Sequence, residues 1–92
     1  MKTPSADMLH RILFILHQGL SDVRYMARDG KAQQAFDLAD TLENIPGFLA
    51  NWEEQHLEQI RKQLERYQAK YKQAGWHDYA KYLTNEAAPD KF

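Results

Sequence analysis

The residues best suited to chemistry in this chain are its four histidines and thirteen acidic residues, because imidazoles and carboxylates bind metals and move protons. Glu53 and His56 form a Glu-x-x-His pair, the motif that each of two helices supplies to a di-iron bundle. The chain has no second copy of this pair. His10 and His17 are seven residues apart, unlike the i,i+4 histidines of a zinc-binding helix. We predict no metal site; a metal-dependent enzyme that uses Glu53, His56 and acids of helix 2 stays as an alternative.

Few residues of this chain could serve as catalytic nucleophiles. Ser5 and Ser21 are the only serines, and neither lies in a Gly-x-Ser-x-Gly turn. The absence of cysteine excludes a thiolate nucleophile, a zinc–sulfur site and a disulfide. Four glycines form no phosphate-binding loop. The residues therefore predict a protein that is not an enzyme and takes no cofactor.

Basic and aromatic side chains mix near the end of the predicted third helix, as they do on surfaces that bind nucleic acids. These residues are Arg61, Lys62, Arg66, Lys70, Lys72 and Lys81, with Tyr67, Tyr71 and Trp76 among them. Tyr67 and Tyr71, however, fall on the apolar seam of that helix, and Glu65 dilutes the charge. The net charge of -1 provides no overall field for a nucleic acid. Nucleic-acid binding is a second alternative.

An acidic row lies on the predicted second helix. Asp37, Asp40 and Glu43 follow one another at intervals of three residues. Such a row is commonly a solvated face, and it can also receive the basic groups of a protein partner. We predict it as an acidic partner face.

Helical elements must position all of these residues. Ser5 or Asp7 caps helix 1, Gly30 ends it, Pro46 stops helix 2 and Asn51 opens helix 3. The predicted helices cover about 7–29, 32–44, 51–73 and 76–84, followed by a polar tail over 85–92. The fold class is all-α: an antiparallel three-helix bundle with a short fourth C-terminal helix, in a single domain over 1–92.

Helix 1 is apolar around most of its circumference, because five consecutive apolar residues, 12–16, point in all directions at about 100° per residue. One row has the spacing of a core stripe and is predicted as core: Leu9, Ile12, Leu13, Leu16, Leu20, Val23 and Ala27. Two further rows are covered either by this chain or by another. We predict that they bind a partner through His10, Phe14, Ile15, His17, Gly19, Tyr25 and Met26.

These observations favour a small non-enzymatic protein–protein interaction protein. It would self-associate through helix 1, as a homodimer, or bind and block a larger protein. The sequence shows no secretory signal, and no apolar run of the ~20 residues that cross a bilayer. The absence of cysteine fits a reducing compartment. We therefore expect a cytoplasmic protein without a membrane partner.

The chain has a helix end at 24–30, a Leu-Ala-Asp run at 38–40 and an Asn-Ile-Pro stop at 44–46. In these features it resembles small bacterial all-helical proteins of unassigned function. Some bacterial proteins of this size are immunity proteins or accessory proteins of larger systems. The resemblance thus implies a helical fold and an immunity-like or accessory role, and it implies no catalytic residues.

Overall fold

The computed structural model describes residues 4–71 and 79–83, and this part of the chain is almost entirely helical. The elements are α1 (Ala6–Arg28), α2 (Ala32–Ala50), α3 (Glu54–Tyr71) and a 3₁₀ segment, Tyr79–Leu83. The predicted all-α class is confirmed. The predicted fourth helix is a 3₁₀ turn where it is described; its remaining residues, the predicted end of helix 3 and the tail lie outside the described residues. Between 4 and 71 and over 79–83, no helix is long and apolar enough to span a membrane.

Both ends of α1 follow from local sequence. The Ser5 hydroxyl accepts a hydrogen bond of 3.1 Å from the backbone N–H of Met8, so Ser5 is the N-cap. At the other end Gly30 has φ +82°, a left-handed conformation that glycine adopts at little cost. The N–H of Lys31 then reaches the carbonyl of Met26 at 2.8 Å, which completes a Schellman motif. The chain reverses there, and α2 runs antiparallel to α1.

The predicted stop at Pro46 is wrong, because α2 continues through it to Ala50. Pro46 is exposed, so its ring does not disturb the core. The apolar face of α2 continues on both sides of it: Ile45, just before the proline, is buried, and Phe48 and Leu49, after it, pack partly against the same core. Burial of each such side chain is worth about 1.5–3 kcal/mol, comparable to the ~3 kcal/mol that an internal proline costs a helix. Packing therefore extends the helix past a local stop signal.

The elements form a ring around one core. α1 packs against α2, α2 against α3, and the 3₁₀ segment contacts both α1 and α3. The core side chains come from all four elements; those that are almost fully buried and largest are Ile12, Ile15, Met26, Leu38, Ile45, Ile60, Leu64 and Tyr79. The 3₁₀ segment therefore completes the core rather than lying across its outside.

Candidate interaction surfaces on α1 and α2

Three of the residues predicted to bind a partner lie in the core of this chain. Ile15 is 0% exposed, Met26 is 1% exposed, and Gly19 is buried against α2. A Cβ at Gly19 would lie 2.6 Å from Cδ1 of Leu42, so the glycine allows α2 to approach closely. This corrects the prediction for these three residues: in the folded chain they pack internally and present no surface to another molecule.

The other four predicted partner residues are spread over a different flank of α1. Phe14 is half-buried, and its ring meets that of Tyr82 edge-on at 4.7 Å. Tyr25 is 49% exposed and lies under the guanidinium of Arg28. His17 is exposed and His10 is half-buried. This row therefore forms a polar and aromatic flank beside the 3₁₀ segment.

The row predicted as core is divided, which is a second correction: Ile12 is 0% exposed and lies in the core, whereas the rest of the row is half-buried or exposed. We call the residues Leu9, Leu13, Leu16, Leu20, Val23 and Ala27 the leucine seam. Leu9, Leu13 and Leu20 are 37%, 41% and 55% exposed. Ala27 is exposed, and Leu16 and Val23 are half-buried. α1 thus carries an apolar row that the described part of the chain covers only in part: Leu16 and Val23 pack against the core, and Leu9, Leu13 and Leu20 stay exposed.

A polar contact explains why the row of α1 that contains Ile15, Gly19 and Met26 is the one that faces the core. The phenol of Tyr79 donates a hydrogen bond to the carboxylate of Asp22, and the two side chains are 0% and 4% exposed. Burial and the neighbouring carboxylate raise the pKa of Tyr79 far above its usual range. Asp22 lies on the same helical face as Ile15 and Gly19, so anchoring it to the 3₁₀ segment turns the leucine seam outward. This core carboxylate was missed by the sequence reasoning, because an acid in helix 1 gives no local sign of burial.

The acidic row on α2 is partly neutralised. The carboxylate of Asp37 is 2.8 Å from Nζ of Lys70, and it accepts hydrogen bonds from the Tyr71 phenol and from Nε2 of Gln33 at 3.0 Å. These partners, Lys70 first, hold the pKa of Asp37 below its ordinary value of 3.8. Asp40 and Glu43 are exposed. The predicted acidic face is therefore reduced to Asp40 and Glu43, and Asp37 links α2 to α3.

Because the pKa of Asp37 is lowered in the folded chain, its ionised form stabilises the fold above about pH 4, and this contribution is lost as the pH falls through the lowered value. We expect the free energy of unfolding of the wild type to decrease more steeply below about pH 4 than that of Asp37→Asn. Urea unfolding between about pH 2 and 5 measures both slopes. Asp40→Asn, at an exposed neighbouring acid, should keep the wild-type slope; a parallel profile for Asp37→Asn would contradict the prediction.

Two of the four basic residues of α3, Arg61 and Lys70, pair with acids of the chain, while Lys62 and Arg66 are exposed. The guanidinium of Arg61 pairs with Glu58 and lies 3.6 Å from a carboxylate oxygen of Glu65. Lys70 pairs with Asp37. Tyr67 is 4% exposed and Tyr71 is half-buried, so neither ring offers an open stacking face; Lys72 and Trp76 lie outside the described residues.

An open groove of about 320 Å³ separates α2 from α3. It is lined by Asp37, Asp40, Thr41, Asn44, Gln63, Arg66, Tyr67 and Lys70. The amide of Asn44 crosses it to Oε1 of Gln63 at 3.3 Å. Acids, bases and amides alternate along this groove, so it has neither the charge of a nucleic-acid surface nor the apolar lining of a small-molecule site.

Glu53 and His56, the Glu-x-x-His pair, form the N-terminal cap of α3. The backbone N–H of Glu53 donates to Nδ1 of His56 at 3.2 Å, and α3 begins at Glu54. His56 therefore occupies the third helical position and reaches back to the cap, as the acid does in a capping box. The ring also packs on Phe48 and Trp52 at centroid distances of 5.0 and 6.2 Å. This cap corrects the predicted start of helix 3 at Asn51, which instead follows the end of α2.

Metal ligation has little support in the part of the chain that the structure describes. There, no three side chains of His, Cys, Asp or Glu come close enough to hold an ion together. Comparison of the chain with protein-family models, with curated proteins and with solved structures gives no match.

Proposed function

We propose that this protein is a non-enzymatic interaction module that forms a homodimer, in which the leucine seams of two α1 helices pack together. The observation that carries the proposal is the exposure of Leu13 and Leu20, at 41% and 55%, on a helix whose other apolar row is already buried. Single surface leucines are common in soluble proteins. A continuous row of apolar residues along a helix is less so, and such rows mark interaction sites.

The spacing of the seam favours a second copy of this chain as the partner. From Leu9 to Ala27 the residues alternate four and three apart, the a and d pattern of a heptad repeat. In such a repeat each side chain inserts into a hole formed by the same residue types on a facing helix. The surface is therefore complementary to itself, as a two-fold symmetric interface requires.

The exposed side of the leucine seam does not face the 3₁₀ segment. Phe14, which contacts Tyr82 of the 3₁₀ segment, is two residues from Leu16, and two residues correspond to about 200° around a helix. The leucine seam and the 3₁₀ segment therefore lie on opposite flanks of α1. A second helix can approach Leu9, Leu13 and Leu20, on the exposed side of the seam, while Leu16 and Val23 keep their packing against the core.

The size of the seam limits the strength of the dimer. α1 has 23 residues and is therefore about 34 Å long. A strip of this length and about 10 Å wide projects to roughly 340 Å² per subunit, below the ~800 Å² of a standard interface. We expect a reversible dimer that forms in the micromolar range, about 1–500 µM.

Sedimentation velocity over that concentration range tests the proposal. The wild type should shift towards twice the monomer mass as its concentration rises, and the double variant Leu13→Glu/Leu20→Glu should stay monomeric because burial of its carboxylates is costly. Circular dichroism should show that this variant keeps its helices. The matched control, Ala32→Glu/Phe36→Glu, adds two carboxylates at exposed positions of α2 and should still dimerise.

Two results would overturn the proposal. One is a wild type that stays monomeric at the highest concentration. The other is dimer loss in the α2 control while the seam variant still associates. A blocking role like that of immunity proteins would use the same seam on a foreign protein, and then the wild type alone would sediment as a monomer. The cysteine-free sequence suits the reducing cytoplasm that we propose as its location.

A further inference from the structure

We infer that a cleft near the C-terminal end of α1 binds a phosphate group, such as that of a phosphomonoester. The cleft has a volume of about 220 Å³ and is lined by Ser21, Arg24, Tyr25 and Arg28, which we call the arginine cleft. None of these four residues belongs to the leucine seam, so the inference does not rest on the proposed dimer.

Helical spacing brings the four side chains together. Arg24 and Arg28 are one turn apart, as are Ser21 and Tyr25, so the four line one side of α1. The guanidinium of Arg28 lies 4.9 Å from the centroid of the Tyr25 ring, a cation–π contact that holds it over the ring. Two arginines and two hydroxyl-bearing residues thus line one cavity.

Within residues 4–71 and 79–83, no acidic side chain balances the charge in this cleft. Elsewhere, Arg11 pairs with Asp7 at 2.9 Å and Arg61 with Glu58. Among the described residues, neither Arg24 nor Arg28 lies within ion-pair distance of a carboxylate. A cation in the last turn is favoured by the helix dipole, which accounts for Arg28. Arg24 is one turn earlier, beyond the range of that effect.

The donors suit a phosphate better than a single carboxylate. Like charges one turn apart repel each other, and an anion between them removes that repulsion. A phosphomonoester carries close to two negative charges and three acceptor oxygens, which match two guanidinium groups and the hydroxyls beside them. Arginine also binds phosphate through two parallel N–H donors, so two arginines can orient the group as well as attract it.

Titration of the full chain with inorganic phosphate at constant ionic strength, followed by amide chemical shifts, tests the inference. We expect saturable binding with the largest shifts between residues 21 and 28. Arg24→Gln and Arg28→Gln should each weaken binding at least about tenfold, as loss of a charge-assisted bidentate contact implies. Arg66→Gln, at an exposed arginine of α3, is the matched control and should bind as the wild type does.

Sodium acetate at the same ionic strength shows whether the site selects phosphate over carboxylate. Three results would each overturn the inference. The chain could bind acetate as tightly as phosphate, the phosphate titration could fail to saturate, or Arg66→Gln could weaken phosphate binding as much as Arg24→Gln and Arg28→Gln do. Leu13→Glu/Leu20→Glu should bind phosphate normally, so a failure of the dimer proposal and a failure of the phosphate site give different results.

Discussion

Replacement of Tyr79 by phenylalanine should lower the free energy of unfolding by about 2 kcal/mol, the typical value of a hydrogen bond to a charged group. The phenol donates to the carboxylate of Asp22, and both side chains are buried. Phenylalanine fills almost the same space, so the loss reports the hydrogen bond rather than a cavity. Urea unfolding monitored by circular dichroism measures the change.

Tyr82→Phe is the matched control for this prediction. Tyr82 lies in the same 3₁₀ segment, is half-buried and contributes its ring to a contact with Phe14, which the substitution keeps. We expect Tyr82→Phe to lower the free energy of unfolding by no more than about 0.5 kcal/mol. A double-mutant cycle with Asp22→Asn should give a coupling energy of about 1–2 kcal/mol between Asp22 and Tyr79. Equal destabilisation by the two phenylalanine variants, with no coupling, would contradict the role of this contact.

The same contact has a consequence at alkaline pH. Because the pKa of Tyr79 is raised in the folded chain, the unfolded chain loses its phenolic proton first, above about pH 10. The stability that Tyr79 contributes is complete below that pH and decreases above it, by up to ~1.4 kcal/mol per pH unit for one proton. The alkaline slope of Tyr79→Phe should be shallower than that of Tyr82→Phe.

Substitution of the two helical glycines by alanine should change stability in opposite directions. Gly19→Ala places a Cβ 2.6 and 2.9 Å from the two terminal carbons of Leu42, which is 2% exposed and has little room to move. Overpacking of this kind costs about 1–3 kcal/mol, while alanine regains up to ~1 kcal/mol of helix propensity. We expect a net loss of about 1–2 kcal/mol.

Gly47→Ala is the matched control, because nothing lies within 4 Å of a Cβ built at that position in α2. Only helix propensity changes there, so the variant should gain about 1 kcal/mol. Thermal or urea unfolding of both variants provides the comparison. A shorter side chain at Leu42, as in Leu42→Val, should reduce the penalty of Gly19→Ala. If Gly19→Ala and Gly47→Ala raise the free energy of unfolding by the same amount, the inference that α1 and α2 are in close contact at Gly19 is wrong.

Sequence alone determined the helical class and the limits of α1. The Ser5 cap and the left-handed Gly30 act within a few residues of their own position, so their effect can be predicted without knowledge of the fold. The prediction from local sequence that helix 2 ends at Pro46 was wrong. There, packing of Ile45, Phe48 and Leu49 against the core outweighs the helix-breaking tendency of one exposed proline.

Only the tertiary structure decided which side of α1 faces inward. Its two apolar rows are about 100° apart, and periodicity favoured the leucine-rich row as the core stripe, whereas the fold buries Ile15, Gly19 and Met26 of the other row. The choice depends on partners far along the chain: Leu42 against Gly19, and Tyr79 with Asp22. Such contacts form between residues that are distant in sequence. The leucine seam is therefore a surface because of where the 3₁₀ segment and α2 bind α1.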